Sequence, residues 1–182
     1  MQDDVARVLF EEQAIRTRLD LLAGEITQFY VDRELTVLAL LNGSLIFAAD
    51  LLRRVSLPLR IDCLRVSSYH GGTESSGVVT FDEETLPDLR GRHVLVLDDI
   101  LDTGRTLHAV LERLSQVGAP LSVEACVLLS KRRERAAYCE PRFVGFEMED
   151  EFVVGYGLDY QERYRNLPYI GVLKPEVYRV TV

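Results

Sequence analysis

The chain predicts an α/β fold, a central and mostly parallel sheet flanked by helices. Three stretches carry that prediction. Residues 35–41, 94–97 and 121–129 are short apolar runs rich in Val and Leu, the pattern of strands buried on both faces of a parallel sheet. The first two are each followed by a short polar turn and then by apolar residues at helical spacing, so a strand–turn–helix unit recurs. A length of 182 residues suits one domain with a sizeable core.

Each element follows in order. Between residues 11 and 31, Ile15, Leu19, Leu22, Ile26 and Phe29 share one stripe, which predicts a helix with one buried face. The strand 35–41 ends in Asn42-Gly43-Ser44, and 45–55 reads as a second helix with Arg53 and Arg54 near its end. Pro58 opens a strand over 59–66. It runs into 67–77, eleven residues with three Gly and four Ser, too polar to pack. That composition predicts a mobile loop of the kind that serves as an active-site lid, with 78–81 as a returning strand. Residues 82–92 are acidic, contain Pro87 and Gly91, and read as a surface connection. After the strand 94–97, Leu107, Val110, Leu111, Leu114 and Val117 recur at steps of three and four, and Gly118 stands where a helix C-terminus wants it. The strand 121–129 ends at Ser130-Lys131-Arg132-Arg133. The runs 143–147 and 152–160 are aromatic and apolar, and the tail from 169 holds short β-like pieces. No internal repeat or linker interrupts the chain.

The chemistry concentrates where 94–97 gives way to its helix, through Asp98-Asp99-Ile100-Leu101-Asp102-Thr103-Gly104-Arg105-Thr106. Open α/β sheets bind ligands at the carboxyl ends of their strands. Backbone N–H groups at a helix N-terminus suit a phosphate, Thr103 and Thr106 add hydroxyls, and Gly104 permits close approach. The Walker spacing GxxxxGK[ST] is missing. Two adjacent carboxylates beside a phosphate repel it unless a hydroxyl-rich sugar or a divalent cation lies between. The plainer alternative is that Asp98 and Asp99 merely end a strand and Asp102 caps a helix. Lys131 ends the next strand and faces the same crevice as Asp102, whereas Arg132, Arg133 and Arg135 read as a solvated basic cluster.

Composition narrows the classes. Apolar residues make up 47% and charged residues 27% of the chain, ordinary for a globular protein. A net charge of −8 and a pI near 5.0 disfavour a nucleic-acid surface and favour a small ligand. Cys63, Cys126 and Cys139 lack metal-ligand spacing, and their odd number fits a reducing cytoplasm. Met-Gln-Asp-Asp has neither the basic flank nor the apolar core of a signal peptide. No apolar run approaches the ~20 residues of a membrane span.

The acidic stretch resembles the phosphoribosyl-diphosphate motif of the type I phosphoribosyltransferases, and the chain from Leu38 to Leu167 resembles their hypoxanthine-guanine branch. The resemblance implies a core over about 33–140 and a small hood formed by the N-terminal segment and the C-terminal third, all within one domain over 1–182. It implies transfer of the phosphoribosyl group to N9 of a 6-oxopurine, with Mg2+ as cofactor. Asp98, Asp99, Thr103, Gly104, Arg105 and Thr106 would then bind phosphoribosyl diphosphate. Asn42 and Gly43 would join them, through a turn that the family often holds by a non-proline cis peptide, here Leu41–Asn42. So would Arg165 and the pair Ser68-Tyr69 in the loop. Asp102 would be the general base. Lys131, Phe152, Val153 and Asp159 would bind the purine, and Asp98, Asp99 and Asp159 would hold the metal. Two positions depart from the family pattern: Asn42 where Lys is frequent, and Asp98 where Glu is usual.

The same resemblance implies a homodimer or homotetramer in the cytoplasm, acting on small molecules without nucleic acid or membrane. Alternatives within the fold are a xanthine-preferring relative and a pyrimidine-operon RNA-binding regulator. The latter wants a basic face, and a Tyr where this chain has Asp102. A phosphoribosyl-diphosphate-binding module without activity would need neither Asp102 nor Lys131 nor the loop at 67–77. A dinucleotide enzyme would want a GxGxxG after a strand, which is missing.

Overall fold

The computed structural model describes residues 1–68, 79–80 and 86–178. A 3-10 turn at Gln2–Asp4 leads into strand β1 (Val5–Phe10), then helix α1 (Glu12–Phe29), β2 (Leu35–Leu41) and helix α2 (Leu45–Leu52). Strand β3 (Leu59–Arg65) follows, then the short pair β4 (Ser67–Ser68) and β5 (Val79–Thr80). The chain continues through β6 (His93–Leu101), helix α3 (Arg105–Gln116), β7 (Ser122–Lys131), β8 (Phe143–Met148), β9 (Val153–Val154), β10 (Ile170–Leu173) and the single turn α4 (Pro175–Tyr178).

The main sheet is wholly parallel among its five strands, in the order β3-β2-β6-β7-β8. It continues past residue 140, since β8 is its edge strand. Alternation along the strands divides the apolar residues between two layers. Val37, Ala39, Leu95, Leu97, Cys126 and Leu128 pack with Ile15, Leu19, Leu22 and Ile26 of α1 and Phe47 and Leu51 of α2. Leu38, Leu40, Val94, Val96, Ala125 and Val127 pack with Leu107, Val110 and Leu114 of α3. Each central strand therefore reads as a continuous apolar run, because both of its faces are covered.

A second, smaller sheet joins distant parts of the chain. β10 pairs antiparallel with β1 on one side and with β9 on the other. Val154, Tyr164, Leu167 and Leu173 form its own buried cluster.

Three expectations change in detail. Helix α2 ends at Leu52, so Arg53 and Arg54 lie in the turn beyond it. β6 runs on through the acidic pair to Leu101, and the turn starts only at Asp102. The connection before β6 is not simply a surface strap, because Leu89 is buried in the α3-side layer. Arg92 is buried too, donating from Nε to Thr36 Oγ1 at 2.5 Å, from Nη2 to the Leu35 carbonyl at 3.0 Å and from Nη1 to Glu34 at 2.9 Å. Its guanidinium fills the base of the sheet, where a buried charge requires full pairing.

Candidate active site

The site lies at the carboxyl ends of β2, β6 and β7. Helix α3 begins after Gly104, whose φ of +80° is a conformation that a side chain would strain. Its first helical hydrogen bond runs from His108 N to the Gly104 carbonyl. The preceding N–H groups carry no intrahelical partner and form a positive helix end. Thr103, Gly104, Thr106 and Leu107 line a cavity of about 70 Å³ there, together with Asp98, Ile100, Leu101 and Asp102. The expected phosphate loop is thus a real concavity. Arg105 is the exception, since it is exposed and does not line it.

A second cleft of about 200 Å³ adjoins the first. It is lined by Asp99, Ile100, Asp102, Lys131, Phe152, Val153, Leu158 and Asp159. Six side chains singled out in the sequence converge on it from β6, the end of β7, β9 and the segment beyond. Phe152 is 37% exposed. Tyr178 stacks on its ring with centroids 4.7 Å apart, and Tyr160 meets it edge-on at 5.6 Å. Residue-by-residue burial odds point Phe152 into a core. It is instead an aromatic wall braced from behind. Val153 is buried and pairs with Val172 of β10.

The two carboxylates of β6 are half-buried neighbours. Burial and the charge of Asp99 push the Asp98 carboxyl well above the usual carboxylate range, and burial raises Asp99 as well. Asp98 Oδ1 accepts from the Asp99 N–H at 3.1 Å, and Asp99 Oδ1 accepts from the Ile100 N–H at 2.9 Å. The Arg165 charge and the backbone N–H groups work against that rise at Asp99 without cancelling it. A pair held so uncomfortably suits a cation or sugar hydroxyls, which would relieve both causes at once.

The turn after β2 closes this side. The Leu41–Asn42 peptide is cis, as the resemblance implies. Asn42 is exposed, and Ser44 is buried with its hydroxyl donating to the Leu40 carbonyl at 2.5 Å. Gly43 lies directly against Asp99, so that a Cβ there would collide with the carboxylate. Arg165 donates to the Gly157 carbonyl at 2.8 Å and pairs with Asp159 Oδ1 at 2.8 Å and Glu162 at 3.2 Å. Asp159 Oδ2 accepts from the Glu162 N–H at 2.9 Å. Both oxygens of Asp159 are therefore engaged, and no group of three or more acidic, His or Cys side chains forms a metal cage among the described residues. A cation here would draw ligands from substrate and water besides Asp98 and Asp99.

Lys131 is buried at the end of β7. Its ammonium lies 3.1 Å from Asp102 Oδ2 and 3.1 Å from Asp150 Oδ1. Arg133 Nη1 lies 2.9 Å from Asp102 Oδ1 and 3.1 Å from Asp150 Oδ2. Only part of the basic cluster is solvated. Arg132 pairs outward with Glu147 and Glu149, but Arg133 turns into the site and Arg135 donates to the Cys139 carbonyl and Ser130 Oγ. Asp150 was not legible as a site residue. The one signal available is its place two residues before Phe152. Ser68 contributes its backbone to β4, while Tyr69 and the rest of the expected lid lie outside the described residues.

A parallel sheet carrying an acidic pair, a small cavity at a helix start and an adjoining cleft walled by an aromatic ring defines a class. The family profile described as "Phosphoribosyl transferase domain" matches residues 8–161, and the chain belongs to the phosphoribosyltransferase family. Its relatives are particular. It is 46% identical over 178 residues to the hypoxanthine-guanine phosphoribosyltransferase of Staphylococcus epidermidis, covering 98% of this chain and 99% of that protein. The Staphylococcus aureus protein of the same name is 45% identical over the same shares. The fold superposes on a crystal structure of a hypoxanthine phosphoribosyltransferase from Staphylococcus aureus with a TM-score of 0.93 at 44% identity, covering 99% of this chain and 97% of that one. A Trypanosoma cruzi hypoxanthine phosphoribosyl transferase, studied for the role of its C-terminal region in oligomeric state and activity, gives 0.89 at 36% identity, over 97% and 95% of the two chains.

Proposed function

We infer that the protein transfers the 5-phosphoribosyl group of phosphoribosyl diphosphate to N9 of hypoxanthine or guanine, releasing pyrophosphate and giving IMP or GMP in purine salvage. The observation that carries this reading is the adjacency of the two clefts. The α3 cavity suits the phosphate of a sugar phosphate and the cleft lined by Phe152 and Lys131 suits a planar base, with Ile100 and Asp102 lining both.

The reaction builds positive charge at the anomeric carbon and negative charge on the leaving diphosphate, and it needs no protein nucleophile. The protein's part is to orient and to place charge. The Thr103–Thr106 turn binds the 5-phosphate through backbone N–H groups and hydroxyls. Asp98 and Asp99 accept from the 2- and 3-hydroxyls of the sugar. Arg165 and the backbone of Asn42 and Gly43 receive the diphosphate, to which a guanidinium fork is well matched. Phe152 stacks on the base, Val153 offers backbone groups to its edge, and Asp159 stands near its 2-position. Lys131 donates to the 6-oxo oxygen. As N9 attacks, the N7 proton passes to Asp102.

Mg2+ is the cofactor in this reading; Asp98, Asp99 and Asp159 would hold it, and when bound it would supply positive charge to the leaving diphosphate. Three free cysteines suit a reducing cytoplasm, and no described helix is long and apolar enough to cross a membrane. A homodimer or homotetramer belongs to the same reading. Exposed Leu45 and Ile61 beside an apolar groove of about 390 Å³ at edge strand β3 support self-association.

One assay tests the function: protein, magnesium, phosphoribosyl diphosphate and each of hypoxanthine, guanine, xanthine and uracil in turn. Nucleotide formation from hypoxanthine or guanine, and none from uracil, is expected. A preparation inert toward every 6-oxopurine would refute it.

A further inference from the structure

Asp102, Lys131, Asp150 and Arg133 close a ring. Two carboxylates alternate with two cations at 2.9–3.1 Å, and all four carboxylate oxygens are used. Only two of the four residues are accounted for by the proposed chemistry. The ring spans three segments: the turn after β6, the end of β7 and the turn between β8 and β9. The latter two are already fixed to each other, since the Arg132 N–H donates to the Met148 carbonyl at 2.7 Å. Exposure is uneven. The Lys131 side chain is 10% exposed, against 46% for Asp150, so the ammonium has given up most of its water and depends on its two acids.

As drawn, the ring's charges cancel. Catalysis upsets that balance. When the purine's proton reaches Asp102, that carboxyl becomes neutral and both of its contacts lose their charge assistance. Lys131 and Arg133 are then held by Asp150 alone. The Lys131 hydrogen bond keeps Asp150 below the usual carboxylate range, so it remains an anion through that event.

We propose that Asp150 is a positioning residue for the purine half of the reaction: it retains the Lys131 ammonium at the 6-oxo position while Asp102 changes charge, and Arg133 ties the two acids together. This rests on assigning Lys131 and Asp102 to the purine. Without Asp150, the ammonium collapses onto Asp102. Both groups then meet the base less well, and the sugar-diphosphate side is untouched.

The test is steady-state kinetics on the full-length protein with hypoxanthine and phosphoribosyl diphosphate varied separately. Asp150→Asn is expected to raise the purine KM by about ten-fold, the scale of one lost charged hydrogen bond, and to leave the phosphoribosyl diphosphate KM within about two-fold. Asp150→Glu restores the purine KM, and Arg133→Met raises it by a smaller factor in the same direction. Asp150→Ser repeats the loss on a different side chain, against an Asn-specific folding defect. An unchanged purine KM in Asp150→Asn, equal rises in both KM values, or a Glu variant as poor as Asn would overturn the proposal. Lys131→Ala serves as the control. If it spares the purine KM, the base-site assignment itself is wrong. If it raises that KM while Asp150→Asn does not, the assignment stands and only the role of Asp150 falls.

Discussion

At the scale of single residues, the most consequential assignment is Asp102. Its two oxygens face cations, and it borders both clefts. Asp102→Asn keeps the shape and removes the ability to take a proton. We expect phosphoribosyl diphosphate binding to persist by calorimetry while kcat falls by about 10²–10⁴, the span of general acid–base catalysis. Unchanged turnover would reduce Asp102 to the start of a helix. Residue identities at the site were largely legible in the sequence, because Asp98 to Thr106 are contiguous and their spacing carries the chemistry. Arg133 was not. As one of three arginines in a row of charges, it gave no hint that its partners sit at positions 102 and 150, far away along the chain. Phe152 was ambiguous for a different reason. An aromatic residue in an apolar run reads as core, and only the stacked Tyr178 behind it shows that one face is already covered.

At the scale of elements, the strand–turn–helix units do the positioning. β2 occupies the residues its apolar run predicts, and α1 buries the expected stripe, because both patterns are local and covered on the faces they imply. The turn after β2 matters most for function, since Gly43 abuts Asp99. Gly43→Ala is expected to displace that carboxylate. Such a variant should fold, because the turn is at the surface of the sheet's end, yet bind phosphoribosyl diphosphate at least ~10-fold more weakly, about 1.4 kcal/mol. Isothermal titration with magnesium present reads this directly, and native-like affinity would show that the turn can give way. Among the elements the sequence did not announce are β1 and β9. β1 has no fully buried residue, and β9 is two residues long, so neither produces a period strong enough to read.

For the whole molecule, the site is a stability cost. The raised Asp98 and Asp99 carboxyls bind protons more readily in the folded than in the unfolded chain. Stability therefore falls as pH rises from the ordinary value of 3.8 through their raised folded values, and stays low above them. Asp98→Asn is expected to remove most of that slope and to raise the melting temperature of the ligand-free protein at neutral pH by roughly 2–4 °C, the equivalent of about 1 kcal/mol in a domain of this size. The same variant should lose its response to magnesium with phosphoribosyl diphosphate. Thermal melts across pH, with and without ligand, measure both effects. A variant less stable than the parent would mean that the acidic pair is held by contacts outweighing its repulsion.

The smaller sheet adds a further consequence at this scale. β10 bridges β1 and β9 in that sheet, and β9 carries Val153 at the edge of the base cleft. A ribosome must deliver residue 172 before Val153 gains its strand partner, although every group that grips the sugar and its phosphates emerged some sixty residues earlier or more, Arg165 aside. A nascent chain paused short of β10 should thus recognise the donor before the acceptor. Stalled complexes released at residue 168 and probed with phosphoribosyl diphosphate and with guanine would reveal that order. Equal retention of both ligands would show that the base cleft forms without its seam.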